Sequence, residues 1–427
     1  MTPDRQHSPT TQIGDPEVAA ERESEQPTTV RQWWRSARPL HGLLAATALS
    51  FTGNAIVAVA VPWLIFKRTG SATAAGVAGA AAIAPIVLSA LFGGALIDRL
   101  GRRFCAVGAD LLSAIAVALL AILDEAFSLP FWGILALVAL GAVFDGPGAA
   151  ARETLRPDVA RATSTPITRV NAWGEAAEAI GALAGPGIAG VLLVVLGGFN
   201  VLWVTVGMFL LSATITTLTI PSHLSPAPIH EPYFRSVVTG LRFLIGEPGL
   251  RTVAITAAIL VGFIAPFESV VLNAHLQDTG HATFYGFVVA AFAGGGLIGA
   301  ILYGVVGHRL PERAVLVTTL AVSALGLAVY ALLPPLTVLL IVSVLTGIAA
   351  GPINPVVAVI MQARTPEHLR GRVIGSYTSV ALAAGPLGLL LMGPIVDHTS
   401  PRIGFIVIAV GCALATLLAA SAKSLKK

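Results

Sequence analysis

Charge is scarce in this sequence. Only 11% of its 427 residues are Asp, Glu, Lys or Arg, less than half the share of an ordinary soluble domain. So little polar surface cannot cover a water-soluble globule, while a hydrophobic content of 55% excludes disorder as a description of the whole chain. Cysteine is almost missing. Cys105 and Cys412 each stand alone in an apolar stretch, which excludes a disulfide framework and a cysteine-based metal site. There is no G-x-x-x-x-G-K-[ST] loop, no H-E-x-x-H pair and no Cys/His cluster to hold nucleotide or metal. No cofactor, no metal and no direct drive by ATP are therefore expected. Basic residues interleaved with aromatics are also missing, which excludes nucleic acid as a partner. No sizeable soluble domain is left to carry enzyme chemistry, so the protein is not expected to be an enzyme.

What the sequence has is apolar runs at a steady pace. They fall at about 41–65, 72–97, 104–123, 130–151, 171–196 and 200–220, then at about 252–274, 283–307, 314–333, 336–362, 373–396 and 402–421. Each is near the roughly 20 residues a bilayer-crossing helix needs, and too long for a barrel strand of about ten alternating residues. The expected fold is an all-α membrane protein of twelve spans. Residues 1–40 read as a disordered cytoplasmic tail, too polar and too long before the first apolar run for a secretory signal. Within it, Trp33-Trp34 between arginines suits either the bilayer interface or a plain juxtamembrane linker. The remaining divisions are a helix bundle at 41–220, a cytoplasmic linker at 221–251, a second bundle at 252–421 and a cytoplasmic tail at 422–427. In the linker, Tyr233 to Ile245 has the pattern of a short amphipathic surface helix.

The basic residues test that count. Of 26 Lys and Arg, 23 fall in the two tails and in the connectors on the same side as the tails; only Lys67, Arg68 and Arg402 fall on the other. Positive charge marks the cytoplasmic side. The expected placement is a bacterial inner membrane, multi-pass, with both termini in the cytoplasm.

The halves repeat each other. Gly94-Ala-Leu-Ile-Asp98-Arg99-Leu-Gly101-Arg102-Arg103 follows the second span, and Gly304-Val-Val-Gly-His308-Arg309-Leu-Pro311-Glu312-Arg313 follows the eighth. Asp145-Gly146-Pro147 pairs with Ala350-Gly351-Pro352, and Ala184-Gly185-Pro186 with Ala384-Gly385-Pro386. Six spans repeated in one orientation place a binding site between the halves near the midplane. A tight turn between the second and third spans would use Gly94 and Gly101. Asp98 can pair with a basic residue or cap a helix end, and Arg99, Arg102 and Arg103 anchor the loop on the cytoplasmic face.

The 94–103 segment resembles the loop signature of the major facilitator superfamily at nearly every position. The resemblance implies that its charges form a latch stabilising one of two transport states, one-sided here because His308 replaces the acid in the second copy. Gly181-Ala-Leu-Ala-Gly185-Pro186-Gly187-Ile-Ala-Gly190 is similar to the fifth-span motif of that family's drug:proton antiporters, with Ala189 where glycine is usual. Gly181 and Gly185 are one turn apart, so another helix can approach closely, and Pro186 bends the span; ordinary small-residue packing is the plainer account. The fourth span carries Ala142 where some antiporters have an arginine. Stretches including Val61-Pro62-Trp63-Leu64, Arg152 to Asp158 and Leu369 to Val373 are similar to Tap-type multidrug exporters of actinobacteria, relatives of macrolide-efflux and enterobactin exporters. That resemblance implies proton-driven efflux of amphipathic drugs, tetracycline-like, with aminoglycosides or macrolides as further classes, and a role in antibiotic resistance. Tap-type proteins have an acid where this chain has Asn54.

Five acids fall inside spans, where an ionisable group is costly and marks function by default. Asp110 reads best as a partner of the cytoplasmic arginines. Asp145, within helical reach of Arg152, reads as ion pair or gate. Glu175 and Glu178 share a face and either carry a proton between them, or reach back to the water layer or pair with Arg169. Glu268 stands alone in Phe263-Ile-Ala-Pro266-Phe267-Glu268, and reads as the group that gains and loses a proton, or as a static buried hydrogen bond. The proton-coupling candidates are thus Glu268, Glu175, Glu178 and Asp145. By analogy with the superfamily, whose cavity is lined by spans 1, 4, 7 and 10, Phe51, Asn54, Asn273 and Asn354 are cavity candidates. Expected partners are a small-molecule substrate, protons and the lipid bilayer, with a monomer as the working unit. A dedicated siderophore or lipid exporter, an importer, or a membrane protein without transport activity remain the alternatives.

Overall fold

The computed structural model describes residues 37–197, 200–221, 233–366 and 369–426. The terminal segment with Trp33-Trp34 and most of the proline-rich stretch of the linker lie outside the described residues. So do the side chains of Asp98, Arg99 and His308. Among the described residues, twelve helices are long and apolar enough to cross a membrane, and none of these residues forms a strand. The protein is an all-α membrane protein of two six-helix halves.

The first half consists of spans at Arg38–Thr69, Ala72–Leu100, Arg102–Phe127, Phe131–Ala162, Ile167–Val195 and Asn200–Thr219. Its turns are short and chemically explicit. Gly70 adopts φ 67° and returns its N–H to Phe66 O at 2.7 Å, and Ser71 caps the next helix through Ala74 N. Gly101, at φ 86°, closes the second span and opens the third, a conformation that suits glycine. Gly94 is not part of this turn: it lies inside the second helix, because the helix continues to Leu100. The connector helix Tyr233–Gly246 then leads to the second half.

In the second half, the seventh span is broken. Pro248–Pro266 is α-helical, Phe267–Leu272 is π-helical and Asn273–Asp278 is α-helical again. Pro266 has no N–H for the Gly262 carbonyl, and Gly388 of the eleventh span packs against that carbonyl. The remaining spans are Tyr285–Val306, Glu312–Tyr330, Leu336–Arg364 with a turn at Gly351-Pro352, Arg370–His398 and Pro401–Ser421. The sequence repeat returns as a packing repeat. Gly185 faces Ala55 of the first span, and its counterpart Gly385 faces Val261 and Ala265 of the seventh. Large apolar side chains such as Leu325, Leu391 and Val195 are left exposed on the perimeter, as lipid-facing positions should be.

The first span begins and the twelfth ends on one face, here the terminal face; the opposite one is the far face. The cores of the halves differ between them. At the far face one core runs across both halves, joining Trp63, Phe66, Ala75 and Leu193 to Phe267, Leu272, Tyr285, Leu389 and Phe405. At the terminal face each half keeps its own, Leu40, Leu43, Leu155 and Val159 in the first, Leu250, Val253, Ile360 and Val373 in the second. The halves are thus fused at the far face and independent at the terminal face.

Candidate translocation site

Two clusters of polar groups lie where apolar spans bring them together. The first is confined to the amino-terminal half. Asp110, on the third span, is 2% exposed and forms an ion pair with Arg152 of the fourth. Ser50 of the first span donates to its Oδ1 at 2.9 Å, and Ser212 Oγ of the sixth lies 2.6 Å from its Oδ2. One carboxylate therefore ties four spans. One turn on, Ser113 donates to Asp145 Oδ1 at 2.8 Å. Arg152 does not take Asp145, the partner suggested by spacing along its own helix, because Asp110 reaches it from the neighbouring span. Asn54, Ser113 and Asp145 line an otherwise apolar cavity of about 60 Å³ beside this network, room for one or two waters.

At the terminal end of the same half, Arg156 forms an ion pair with Glu178 and lies 3.9 Å from Glu175 Oε1. The pairing separates the two acids: the Glu175 side chain is 76% exposed and that of Glu178 only 23%. Arg169 does not serve them, since its guanidinium stacks 5.8 Å from the Trp173 ring centroid. Within the loop signature, Arg102 Nη1 bonds Asp158 Oδ2 at 2.5 Å, Arg161 takes the other Asp158 oxygen, and Arg103 donates to Thr217 O at 2.8 Å. These described contacts stay within the first half.

The second cluster surrounds the broken seventh span. Glu268 sits in the π-helical turn and is half-buried. Among the described residues, neither a cation nor a hydrogen-bond donor meets its carboxylate; Tyr285 Oη reaches only its backbone carbonyl, at 3.2 Å. A π turn exposes backbone groups that an α-helix would satisfy, and such turns gather at functional sites. Asn273, in contrast, lines no open space: it is fully buried, with Nδ2 3.2 Å from Ser269 O and its Oδ1 accepting from Gln277 at 2.7 Å. Gln277 in turn lies 3.3 Å from Trp63 O of the first span, so this pair belongs to the far-face closure. Asn354 is exposed just after the break in the tenth span. Phe51 is half-buried, with its Cβ against Gly181.

The fifth-span motif divides its glycines between two neighbours. Gly181 and Gly185 pack on Ala48, Phe51, Thr52 and Ala55 of the first span, just before Pro186, which lies inside the helix. Gly187 faces Ala290, and Gly190 meets Gly286 of the eighth span backbone to backbone. The motif therefore packs its own half together and seals that half to the other at the far face.

Residues 43–278 and 269–425 both match the family model described as Major Facilitator Superfamily. The chain belongs to the Major Facilitator Superfamily. It is 37% identical to the multidrug efflux pump Tap of Mycolicibacterium fortuitum, over 87% of this chain and 92% of that protein. To Tap of Mycobacterium tuberculosis it is 34% identical, over 91% and 94%. Among solved structures, a bacterial homologue of the human lysosomal transporter Spinster, in an inward-facing and unoccupied conformation, superposes with a TM-score of 0.72 at 14% identity, covering 92% of this chain and 98% of that one. As a member of the superfamily the protein is a multi-pass membrane transporter of small molecules, not an enzyme.

Several groups of this site escape a reading of single residues. Ser113 lies three residues after Asp110, hence on the same helical face, a signal for a shared network. Ser50 and Asn54 are likewise one turn apart. Gln277 follows Asn273 by four residues, the spacing at which two amides can bond.

Proposed function

We propose that this protein exports amphipathic small molecules from the cytoplasm across the bacterial inner membrane, by alternating access, in exchange for protons. Tetracycline-like drugs head the expected substrates, with aminoglycosides or macrolides as further classes. The observation that carries the reading is the lone Glu268 carboxylate in the broken seventh span, next to the core that fuses the halves at the far face. A carboxylate with no partner to hold its charge is free to exchange a proton, whereas one locked to an arginine is not. In this reading the terminal face is cytoplasmic, as its basic residues favour, and the structure is open inward. Substrate enters between the halves; Glu268 trades its proton as the far face opens and closes. Glu178 and Glu175, sharing Arg156, act near the inner mouth, and Asp145 with Asn54 forms a polar wall of the amino-terminal half. The loop signature from Gly94 through Asp98, Arg99 and Gly101 to Arg103 stabilises the outward-open state on the cytoplasmic side. One chain holds the whole path, so the working unit is a monomer.

The test is accumulation of a fluorescent cationic dye in cells with and without the protein. Lower accumulation that is abolished when an uncoupler collapses the proton gradient is the expected result. Equal accumulation in both strains, at verified expression, would refute broad drug export and point to a dedicated siderophore or lipid exporter.

A further inference from the structure

The far-face closure has a polar clasp at its edge. Asp397, near the end of the eleventh span, reaches from the carboxyl-terminal half to the first turn of the second span. Its Oδ1 accepts from Ala72 N–H at 2.7 Å, and its Oδ2 accepts from Thr73 N–H at 2.9 Å and from Ser71 Oγ at 2.8 Å. The first N–H groups of a helix have no partner within it, and they carry the positive end of its dipole. A carboxylate from the opposite half thus completes a helix end that its own half leaves open. Ser71 serves both sides, since its Oγ also accepts from Ala74 N–H at 3.2 Å. Beneath the clasp the halves touch directly: a Cβ at Gly393 would meet the Thr73 Cα, and one at Gly76 would meet the Leu389 carbonyl oxygen.

We propose that Asp397 is a gating residue: its carboxylate, seated on the second-span N-terminus, holds the far face shut and must let go each time that face opens. The inference rests on the alternating-access reading, because a contact present in one state alone shifts the balance between states by its own free energy. Neither half needs the clasp for its own fold. Asp397 remains exposed to water, which weakens each bond by screening. Its removal should therefore raise the far-face-open population several-fold, as loss of a helix cap does, rather than by orders of magnitude.

The experiment uses the full chain in lipid nanodiscs, with Cys105→Ser and Cys412→Ser and spin labels at Ser128 and Leu332, on far-face connectors of the two halves. Distance distributions report the open fraction. Asp397→Asn should increase the longer-distance population several-fold, and Ser71→Ala should do so less, since Asp397 then keeps its two backbone donors. Thermal stability should fall only slightly in both, by no more than the loss of one helix cap. Unchanged distances in Asp397→Asn overturn the proposal. Should that variant fail to insert, unchanged distances in Ser71→Ala overturn it equally. Shifted distances without uncoupler-sensitive dye export would uphold the clasp and reject the proton-driven drug reading; normal export with unshifted distances would reject the clasp alone.

Discussion

The two halves follow one pattern of six spans, and each holds an ion pair near the terminal face, Arg156 with Glu178 and Arg364 with Glu247, yet deeper in the spans they treat charge in opposite ways. In the amino-terminal half, Asp110 has Arg152 and two serines, and Arg156 holds Glu178. In the carboxyl-terminal half the interior is aromatic. Phe267 lies 5.0 Å from the Tyr330 ring and 6.1 Å from that of Phe405, and Tyr330 Oη meets Ser343 Oγ at 2.7 Å. In that interior the Glu268 carboxylate stands without a partner among the described residues. A buried charge with its counter-charge acts as a strut, since removing either partner strands the other. A carboxylate without one adds nothing to the frame and is free to change protonation. The first half thus reads as the rigid jaw and the second as the one that carries the exchangeable proton.

The strongest way to break this contrast is Glu268→Gln. The amide keeps the size and hydrogen-bonding capacity of a protonated carboxyl, so substrate still binds and downhill exchange persists. Uphill efflux should stop, and proton release on adding drug to purified protein in detergent should vanish. Glu175→Gln should give a milder defect, because Glu178 stays with Arg156 one turn away. Normal proton release and intact uphill efflux in Glu268→Gln would move the coupling role into the first half and reverse the comparison.

Next comes the strut itself. Asp110→Ala leaves the 4%-exposed Arg152 without its carboxylate, and should destabilise the protein by about 3–5 kcal/mol. Thermal unfolding in detergent measures it against Glu268→Gln, which should change stability little. A double variant, Asp110→Asn with Arg152→Gln, should recover much of the loss because no charge is left stranded. If Asp110→Ala and Glu268→Gln proved equally stable, the distinction between strut and exchangeable group would fail.

The fifth span offers a smaller effect that separates packing from charge. Gly185→Leu forces a side chain into Ala55 and the Thr52 carbonyl of the first span, an overpacking cost of about 1–3 kcal/mol, and should block cycling in transport assays. Full transport at matched expression would show that the first and fifth spans do not move as one body.

How far these features can be read without coordinates depends on their range. Span positions are legible because composition within about 20 residues decides them, and the repeated Ala-Gly-Pro segments are legible as equivalent helix contacts. The partners of charged groups are not. Asp145 and Arg152 lie seven residues apart on one helix, a rise of roughly 10 Å, whereas Asp110 faces Arg152 across a helix interface that local spacing does not report. Arg156 rather than Arg169 takes the two fifth-span acids for the same reason. Asn273 shows another limit: depth in a span can be counted, but rotation about its axis depends on packing, and packing turns Asn273 toward Gln277. Pro266 signals a bend, yet the π-helical form of the next six residues arises where the first, second, eleventh and twelfth spans, among others, pack against the seventh. Gly94 looks like a turn residue beside Gly101, but only Gly101 has the backbone conformation that requires glycine.

The smallest effect belongs to the charge pair at the rim of the rigid jaw. Arg68 Nη1 lies 2.6 Å from Asp124 Oδ1, joining the first and third spans at the far face, and the Arg68 side chain is 37% exposed. Water screens this pair and offers each partner a substitute when the other is lost. Asp124→Asn should therefore cost between zero and about 1 kcal/mol, with transport unchanged. Salt separates rim from core. At 1 M ionic strength the screening length falls to about 3 Å, so the small loss in Asp124→Asn should shrink further, while the loss in Asp110→Ala should hold, because buried pairs are screened far less. Unfolding midpoints for both variants at low and high salt decide it. A salt-independent loss in Asp124→Asn as large as that of Asp110→Ala would show that the first half draws its rigidity from charge at any depth, and not from the enclosed network around Asp110.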